Sequence, residues 1–592
     1  MRRLVLAVAL FLATVASAHA AEVPIQPVYD ARGRIVETPL APPEQPIVLT
    51  SDRAKAIFLA VPKVKRWLTR YPTSRRSVDA EFIKESRYWQ VNVWWGKAGE
   101  IATGRVDDAT SSVTEAWTGP QVAWGMARGS PGAFGGKKIN SYPVWLGFCA
   151  IFLLGLLDWR RPFSLRNLDL VVLLSFSVSL WFFNHGHVFA SASLAYPPFV
   201  YLIGRALWIG ITGRASPGRT RWPVWLLLAV TAFGTGFRLM EYNVRNSNVI
   251  DVGYSGVIGA ERIVTGEWPY GHMPVEESLK ACGPKDQNGE IRERIQTNGL
   301  CESANPRGDT YGPVAYESYI PGYLALGWSG KWDDLPAAHA TVIAFDLLCL
   351  LGLGLVGLRF GGPLFGATVA FAWTAYPFVQ YASSSNTNDT LLPAFLIWGF
   401  WLVTSPWARG AFGALSGWTK FAAFIVAPMW LTYRMTREQI VRAAAGFVVA
   451  TLAAFSIVLL EPNVGHALRV FWERTVSWQI SREAPFSIWD WRQYHAKGIP
   501  NLEIVQRFFQ ALLVAAALVF ALVPRRKTSL QLAALTGALL LGFELVLTYW
   551  IYAYIVWFFP FVAFAVLAWA EPTPEPEREP DEHPVPELVA AG

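Results

Sequence analysis

Charged residues are scarce in this sequence. Only 16% of its 592 residues are Asp, Glu, Lys or Arg, whereas 53% are hydrophobic and 14% are aromatic. A soluble enzyme of this length needs more charge to cover its surface, so the composition predicts a polytopic α-helical membrane protein. The 28 Trp and 20 Tyr suit the aromatic belts that form at both faces of a bilayer.

Clustered metal ligands and internal repeats are also missing. The eight His are scattered, and the Cys and His residues form no cluster with metal-ligand spacing. The apolar runs show no obvious repeat, which weighs against the repeat-built transporters. The formal net charge is only +7, and nothing else in the chain indicates a nucleic-acid partner.

The N-terminus has the three parts of a secretory signal peptide. Two arginines precede the apolar run 4–16, which is followed by the small-x-small sequence Ala18-His19-Ala20. The run is shorter than the roughly 20 residues that span hydrocarbon as a helix. We therefore expect a signal peptide over residues 1–20 and export of residues 21–142.

The exported region combines helix and strand patterns. An amphipathic stretch at 54–72 precedes three alternating runs, YWQVNVWWG, EIATGRVDD and SSVTEAWTG, which predict a small antiparallel sheet. The whole resembles a PepSY-like module, a small exported α+β domain. The alternative is an accessory domain that only packs on the membrane part.

Apolar runs of membrane length follow from residue 143 onward, and they predict about 12 to 13 membrane segments. Residues 143–221 would hold additional transmembrane helices before the main membrane core at 222–570. The runs cover 143–157, 168–184, 196–212, 222–240, 337–358, 361–381, 390–406, 410–432, 440–460, 503–523, 529–547 and 549–570.

Basic residues lie in alternate connections between these runs, as the positive-inside rule requires. This pattern agrees with an exported N-terminus and places two long loops, 241–336 and 461–502, outside the cytoplasm. The Pro- and Glu-rich tail 571–592 would be a disordered cytoplasmic segment. Because the long polar loops share one face, we expect the functional site there, on the extracytoplasmic side of the cell membrane.

The segment 408–437 has basic residues at both ends, so a single crossing would leave one basic end outside. We predict a broken hairpin with its turn at Ser416 and Gly417 and with Lys420 facing outward at the tip. Non-helical backbone at such depth is tolerated only beside protein or a water-filled cavity. The alternative is that Lys420 merely snorkels to the headgroups.

Asp251 lies where the apolar run 222–240 gives way to the polar, aromatic segment NVIDVGYSGVIGAERIVTGEWPYG. A carboxylate at a membrane edge is a candidate general base. The alternative is that Asp251 only caps the helix that VGYSGVIGAERIV would form. Glu261, ten residues further on, is the rival base.

These features together resemble the GT-C superfamily, the integral-membrane glycosyltransferases that use polyprenyl-phosphate sugars. They are an acidic residue after an outward helix, Gly-x-Trp-Pro-Tyr at 266–270, TYGPVAYESYIPGYLALGW at 310–328, and the Thr419-Lys420 hairpin. The order of these features along the chain is most similar to their order in the bacterial polyprenol-phosphate-mannose-type mannosyltransferases. The resemblance covers about residues 222–570, so the role of residues 1–221 stays open.

The resemblance implies transfer of a sugar from a polyprenyl-phosphate donor to a cell-envelope glycan, lipid or protein acceptor. Asp251 would be the catalytic carboxylate, and Lys420 would contact the leaving phosphate. No cofactor is certain. Further candidates for binding the phosphate are Arg245, Arg262, Arg482, Arg474 and Arg492. Candidates for binding sugar hydroxyls are Asp389, Asn388 and Glu317.

Two other functions stay open. Arg205, Asp346 and Glu544 lie within membrane runs, where ionisable groups often mark a transport pathway, so a transporter or flippase is the first alternative. A membrane-anchored envelope sensor or assembly protein is the second.

The loop 241–336 also holds two features of its own. Cys282 and Cys301 would be able to form a disulfide in an oxidising compartment. Asp286, Asn288 and Glu290 resemble an incomplete calcium loop, so a divalent cation is not expected.

Overall fold

The computed structural model describes most of the chain from residue 46 to residue 569. Four predictions fall outside the described residues and stay predictions. They are the signal peptide, the C-terminal tail, the disulfide that involves Cys282, and the calcium-like residues Asp286, Asn288 and Glu290. The described residues are 28–29, 32, 35–37, 46–129, 141–216, 218–247, 249–273, 280, 293–295, 301–303, 308–329, 335–434 and 436–569.

The chain divides into two compact units. Among the described residues, the first unit comprises those up to 65 together with 77–93 and 103–116. The second unit comprises 66–76, 94–102 and the described residues from 117 onward. The membrane helices and the candidate site described below belong to the second unit.

The N-terminal region contains helices and a four-stranded sheet of order β3-β4-β5-β6. The three alternating runs form β4 to β6, as their pattern predicts, whereas β3 was not predicted. Thr50 caps the first helix by accepting a hydrogen bond from the Arg53 amide. The elements are α1 (Ser51–Ala60), α2 (Pro62–Leu68), α3 (Pro120–Ala123), β1 (Val28–Tyr29), β2 (Ile35–Glu37), β3 (Arg76–Ile83), β4 (Tyr88–Trp95), β5 (Gly99–Asp107) and β6 (Val113–Thr118).

Helices dominate the rest of the described chain, and seven of them are long and apolar enough to cross a membrane. The protein is therefore a polytopic helical membrane protein. The helices are α4 (Tyr142–Leu156), α5 (Leu165–Asn184), α6 (Val188–Thr212), α7 (Val224–Phe237), α8 (Asp251–Val264), α9 (Pro313–Glu317), α10 (Ile320–Leu326), α11 (Pro336–Ala375), α12 (Pro377–Ser384), α13 (Leu391–Trp401), α14 (Pro406–Thr419), α15 (Ala427–Leu431), α16 (Arg437–Ala454), α17 (Val464–Trp472), α18 (Trp478–Ser481), α19 (Glu503–Leu522), α20 (Ser529–Val546) and α21 (Ile555–Leu567), with two short strands, β7 (Glu293–Ile295) and β8 (Cys301–Ser303).

The predicted break in the run 410–432 is present, but its place was predicted wrongly. Helix α14 continues through Ser416 and Gly417 to Thr419, and the backbone becomes extended only at Lys420. The two small residues serve packing instead. The Ser416 hydroxyl donates to the Leu392 carbonyl at 2.9 Å, and a Cβ on Gly417 would clash with the ring of Phe424.

The end of α7 is tied to the connection that follows α12. After α7 the helix widens into a π-helical turn, Arg238–Val244, a local feature frequent at functional sites. The side chain of Asn243 in this turn donates to the Ser383 carbonyl at 2.6 Å and to Asn386 Oδ1 at 2.8 Å. Immediately before α8, the Ile250 amide donates to the Ser385 carbonyl at 3.3 Å, so the start of α8 is also held by this connection.

The ionisable groups within the membrane runs have partners inside the protein. Arg205 pairs with Asp169 at 3.0 Å, and Arg238 pairs with Asp346 at 2.8 Å. The Trp550 indole donates to Glu544 at 3.1 Å. Internal pairing is how proteins stabilise charge at membrane depth, so these groups have a structural role.

Candidate functional site

A cavity of about 740 Å³ lies in the second unit, a size usual for small-molecule sites. Its wall combines charged and polar side chains with an apolar portion that includes Ile425, Leu513, Val514 and Phe543. The wall is formed by parts of 310–312, 419–425, 479–492, 503–514 and 543–557. The cavity therefore suits a ligand that has both a charged and an apolar part.

Lys420 lies at the cavity wall with its ammonium group held from several sides. Its Nζ donates to Asp389 Oδ1 at 2.6 Å. The ammonium also lies 5.1 to 5.3 Å from the ring centroids of Tyr311, Tyr554 and Trp557, within cation–π range. The Lys420 side chain is only 8% exposed. Lys420 is thus a buried, enclosed cation, and the snorkelling alternative was wrong.

The geometry around Lys420 follows from two helix ends. Lys420 is the C-terminal cap of α14, and its backbone is extended. Asp389 lies in a one-turn 3₁₀ segment, Asn388–Thr390, whose cap is Thr387. The Trp557 indole donates to the same Asp389 oxygen, Oδ1, at 2.9 Å. Asp389 Oδ1 therefore has two partners inside the protein, and the sugar-binding role of Asp389 stays a prediction.

Asp251 is the first residue of α8, and the position before it, the N-cap, is occupied by Ile250. The N-cap alternative therefore does not describe this helix start. The Asp251 carboxylate is exposed and interacts electrostatically with Lys420 and with Arg482. Asp251 is not one of the residues that line the cavity, but it is near enough to Lys420 and Arg482 to interact with both.

Arg482 lines the cavity with its guanidinium carbon 3.5 Å from the centroid of the Tyr549 ring. Burial raises the pKa of Tyr311 well above its usual value of 10. This phenol is therefore neutral at physiological pH, so it is a hydrogen-bond donor and not a base. The site offers cations and neutral donors for an anionic group.

Asp309 fixes the loop that carries Tyr311. The carboxylate of Asp309 is fully buried and accepts a hydrogen bond from the Gly271 amide at 2.8 Å. Arg474 Nε donates to Asp309 Oδ2, and Arg474 Nη2 forms an ion pair with Oδ1, each at 2.6 Å. The Tyr270 hydroxyl donates to the Tyr311 carbonyl at 2.7 Å. Arg474, one of the phosphate candidates in the sequence, therefore binds Asp309 in the structure.

Other predicted residues lie away from the cavity wall. Arg245 is exposed and pairs with Glu241 at 2.6 Å, and Arg262 pairs with Glu267 at 3.3 Å. Glu317 ends α9, where burial raises its pKa to about 7. The Asn388 side chain is buried beside Asp389, and its amide oxygen has no hydrogen-bond partner among the described residues.

Several site residues were missed in the sequence because they resemble ordinary membrane aromatics. Tyr549, Tyr554 and Trp557 fall within one apolar run, and Tyr311 was included only as part of a motif. Their spacing offers one signal: the polar rings in YWIYAYIVW, residues 549–557, are denser than a lipid-facing helix needs.

No group of three or more metal-ligating side chains occurs within the described ranges. Comparison with known proteins gives no match: no family model, no curated protein and no solved structure is significantly similar to this chain. The fold and the site therefore define the class of the protein directly, as a polytopic helical membrane protein with an amphiphilic cavity.

Proposed function

We propose that this protein is a membrane glycosyltransferase of GT-C type that takes a sugar from a polyprenyl-phosphate donor. The observation that carries the proposal is the enclosed Lys420, which lies on the wall of a cavity that also has an apolar portion. A lipid phosphate has the same two parts, an anionic head and an apolar chain. The acceptor would be a component of the cell envelope.

Lys420 and Arg482 would hold the donor phosphate. The leaving phosphate is already ionised, so it needs cations and not a general acid. The neutral hydroxyl groups of Tyr311, Tyr549 and Tyr554 are available as additional donors at the same wall. The cationic end of the cavity is matched to a phosphate that gains charge as the glycosidic bond breaks.

Asp251 would be the base that takes the proton from the acceptor hydroxyl. Its support is electrostatic: it interacts with both Lys420 and Arg482, so it would stand near the sugar of a donor whose phosphate those cations hold. Its exposure leaves room for an acceptor. The orientation we propose, with this site on the outer face, follows from the alternation of basic connections.

The apolar wall would hold the start of the prenyl chain. Leu513 and Val514 belong to α19, a helix whose side chains are mostly exposed along its apolar length, as expected of a helix that faces lipid. A chain leaving the cavity along α19 would reach the hydrocarbon without crossing polar surface.

The test is transfer from radiolabelled polyprenyl-phosphate hexoses in membranes that contain the full chain. We expect Asp251→Asn to lower transfer by about 100-fold or more, the contribution of a general base. Glu261→Gln is the matched control, because Glu261 is the rival base on the same helix. No consumption of any donor, or full transfer by Asp251→Asn, would falsify the proposal.

The same membranes distinguish the transporter and flippase alternative. Sealed vesicles would then move a lipid-linked or polar solute without breaking a glycosidic bond. The internal pairing of Arg205 and of Arg238 gives no specific support to that alternative.

A further inference from the structure

One stripe of α19 differs from the rest of that helix. Glu503, Gln506, Arg507 and Gln510 line the cavity at spacings of three and four residues, so they share one helix face. The neighbouring side chains of α19, such as Phe508, are exposed and apolar. Polar groups on a membrane helix are costly unless they face protein or a cavity, so this stripe points to a polar ligand.

The stripe continues into a second group of charges in the wall. Glu503 forms ion pairs with both Arg492 and Arg507, and Asp490 lies 4.0 Å from Arg492. With Glu483, the group has three carboxylates and two guanidinium groups, a formal charge of −1. We call these five residues, with Gln506 and Gln510, the α19 subsite. Its contacts are separate from those that hold Lys420.

The chemistry of the α19 subsite restricts its ligand. A net negative charge disfavours a second phosphate or another anionic group. An apolar ligand would desolvate the charged groups and the amide of Gln510 without offering them any hydrogen bond. Carboxylates, amides and guanidinium groups together offer closely spaced acceptors and donors, which match the adjacent hydroxyls of a sugar ring.

Gln510 is the residue best placed to report on a ligand. Its side chain is exposed and makes no hydrogen bond to any residue in the described part of the chain, although it lines the cavity. Gln506 differs, because its amide donates to the Val546 carbonyl at 2.9 Å and to the Thr548 hydroxyl at 3.0 Å. Gln510 can therefore be replaced without breaking a contact of the fold.

We propose that the α19 subsite binds the acceptor, and that the acceptor is a neutral, hydroxyl-rich saccharide. This inference rests on the proposed glycosyltransferase function and goes further by excluding peptides and anionic glycolipids as acceptors. The phosphate of the donor would occupy the Lys420 end of the cavity, and the acceptor sugar would occupy the α19 subsite.

The experiment uses the purified full chain in liposomes with a labelled polyprenyl-phosphate hexose and three acceptor probes. These are a set of neutral octyl hexosides, octyl glucuronide, and a Ser/Thr-rich peptide. We expect transfer to at least one octyl hexoside. Transfer only to the glucuronide or the peptide, or donor hydrolysis without transfer, overturns the inference alone. If no donor is consumed, the proposed function fails as well.

A variant of Gln510 then tests whether the acceptor binds at the α19 subsite. Gln510→Leu should raise the KM for the octyl hexoside about tenfold, the effect of one lost hydrogen bond of about 1.4 kcal/mol, and more than it raises the KM for the donor. Phe508→Leu, on the same turn of α19 but outside the cavity wall, should change neither KM. Equal KM values for the acceptor in Gln510→Leu and the unaltered protein would contradict the assignment.

Discussion

Two buried ion pairs in this protein have the same chemical plan but different surroundings. In each, a cation binds an aspartate that also accepts a tryptophan indole: Arg238 and Trp373 bind Asp346, and Lys420 and Trp557 bind Asp389. The first pair is completely buried. The second lies at the cavity wall, where Lys420 and Trp557 are lining residues. Access to a cavity, and not the presence of buried charge, therefore distinguishes the pair that we propose to be functional.

The largest expected effect separates the two pairs by activity. Replacing both charges avoids an uncompensated buried ion, so Lys420→Met/Asp389→Leu and Arg238→Met/Asp346→Leu should both fold. We expect the first double variant to lose sugar transfer by about 100-fold or more, because phosphate stabilisation is removed. The second should transfer at nearly the original rate. Binding of dodecyl phosphate to the purified proteins supplies a second readout.

Equal loss of transfer in the two double variants would break the comparison. That result would mean that the Lys420–Asp389 pair contributes only to the fold, as the Arg238–Asp346 pair does.

The next effect is on stability and concerns single aspartates. Asp346→Asn leaves Arg238 charged and sealed in the interior, which should lower the free energy of unfolding by about 3 kcal/mol. Asp389→Asn should lower it by less, because the Lys420 side chain lies at the cavity wall with 8% exposure and keeps its three aromatic neighbours. Thermal unfolding in detergent measures both. A larger loss for Asp389→Asn would show that the Lys420 pair is the more deeply sealed one.

The sequence predicted much of the fold but little of this pairing. The lengths of the apolar runs predict membrane helices, because a helix that spans lipid needs a fixed apolar length. The bounds of α19 and α20 lie within about one residue of the predicted runs 503–523 and 529–547. Lys420 and Asp389 were both predicted as site residues, but for separate partners. Their 31-residue separation spans two helices, and no local pattern specifies which side chains meet across them.

The turn near Lys420 shows the same limit. Ser416 and Gly417 resemble a turn signal because both residues favour turns. In the structure they allow close packing of α14 on Leu392 and Phe424. Small residues serve both purposes in membrane proteins, and only the tertiary contacts decide which.

A smaller effect concerns the two tryptophans. Trp373→Phe and Trp557→Phe each remove one indole hydrogen bond to a carboxylate and retain an aromatic ring, so each should lower the free energy of unfolding by about 1.5 kcal/mol. Only Trp557→Phe should also weaken dodecyl phosphate binding, because Asp389 then holds Lys420 less firmly. Titration of the probe into both variants tests this difference. Weakened binding in Trp373→Phe would contradict the separation of the two pairs.

The last effect is one of pH and concerns Glu317, a half-buried carboxyl with no ion-pair partner in the described chain. Burial raises its pKa from 4.5 to about 7. The folded state then holds the proton more tightly than the unfolded state, so the free energy of unfolding should fall between pH 4.5 and 7 and level off above pH 7.

Glu317→Gln should flatten that decline in thermal unfolding measured from pH 5 to pH 8. Glu438→Gln is the control, because the Glu438 side chain is 70% exposed and pairs with Arg442 at the surface. If Glu317→Gln kept the full decline, burial alone would not raise the pKa of this carboxyl. If it flattens the decline, Glu317 shows what burial does to a carboxyl without an ion-pair partner, whereas Asp346 and Asp389 each have a cation beside them.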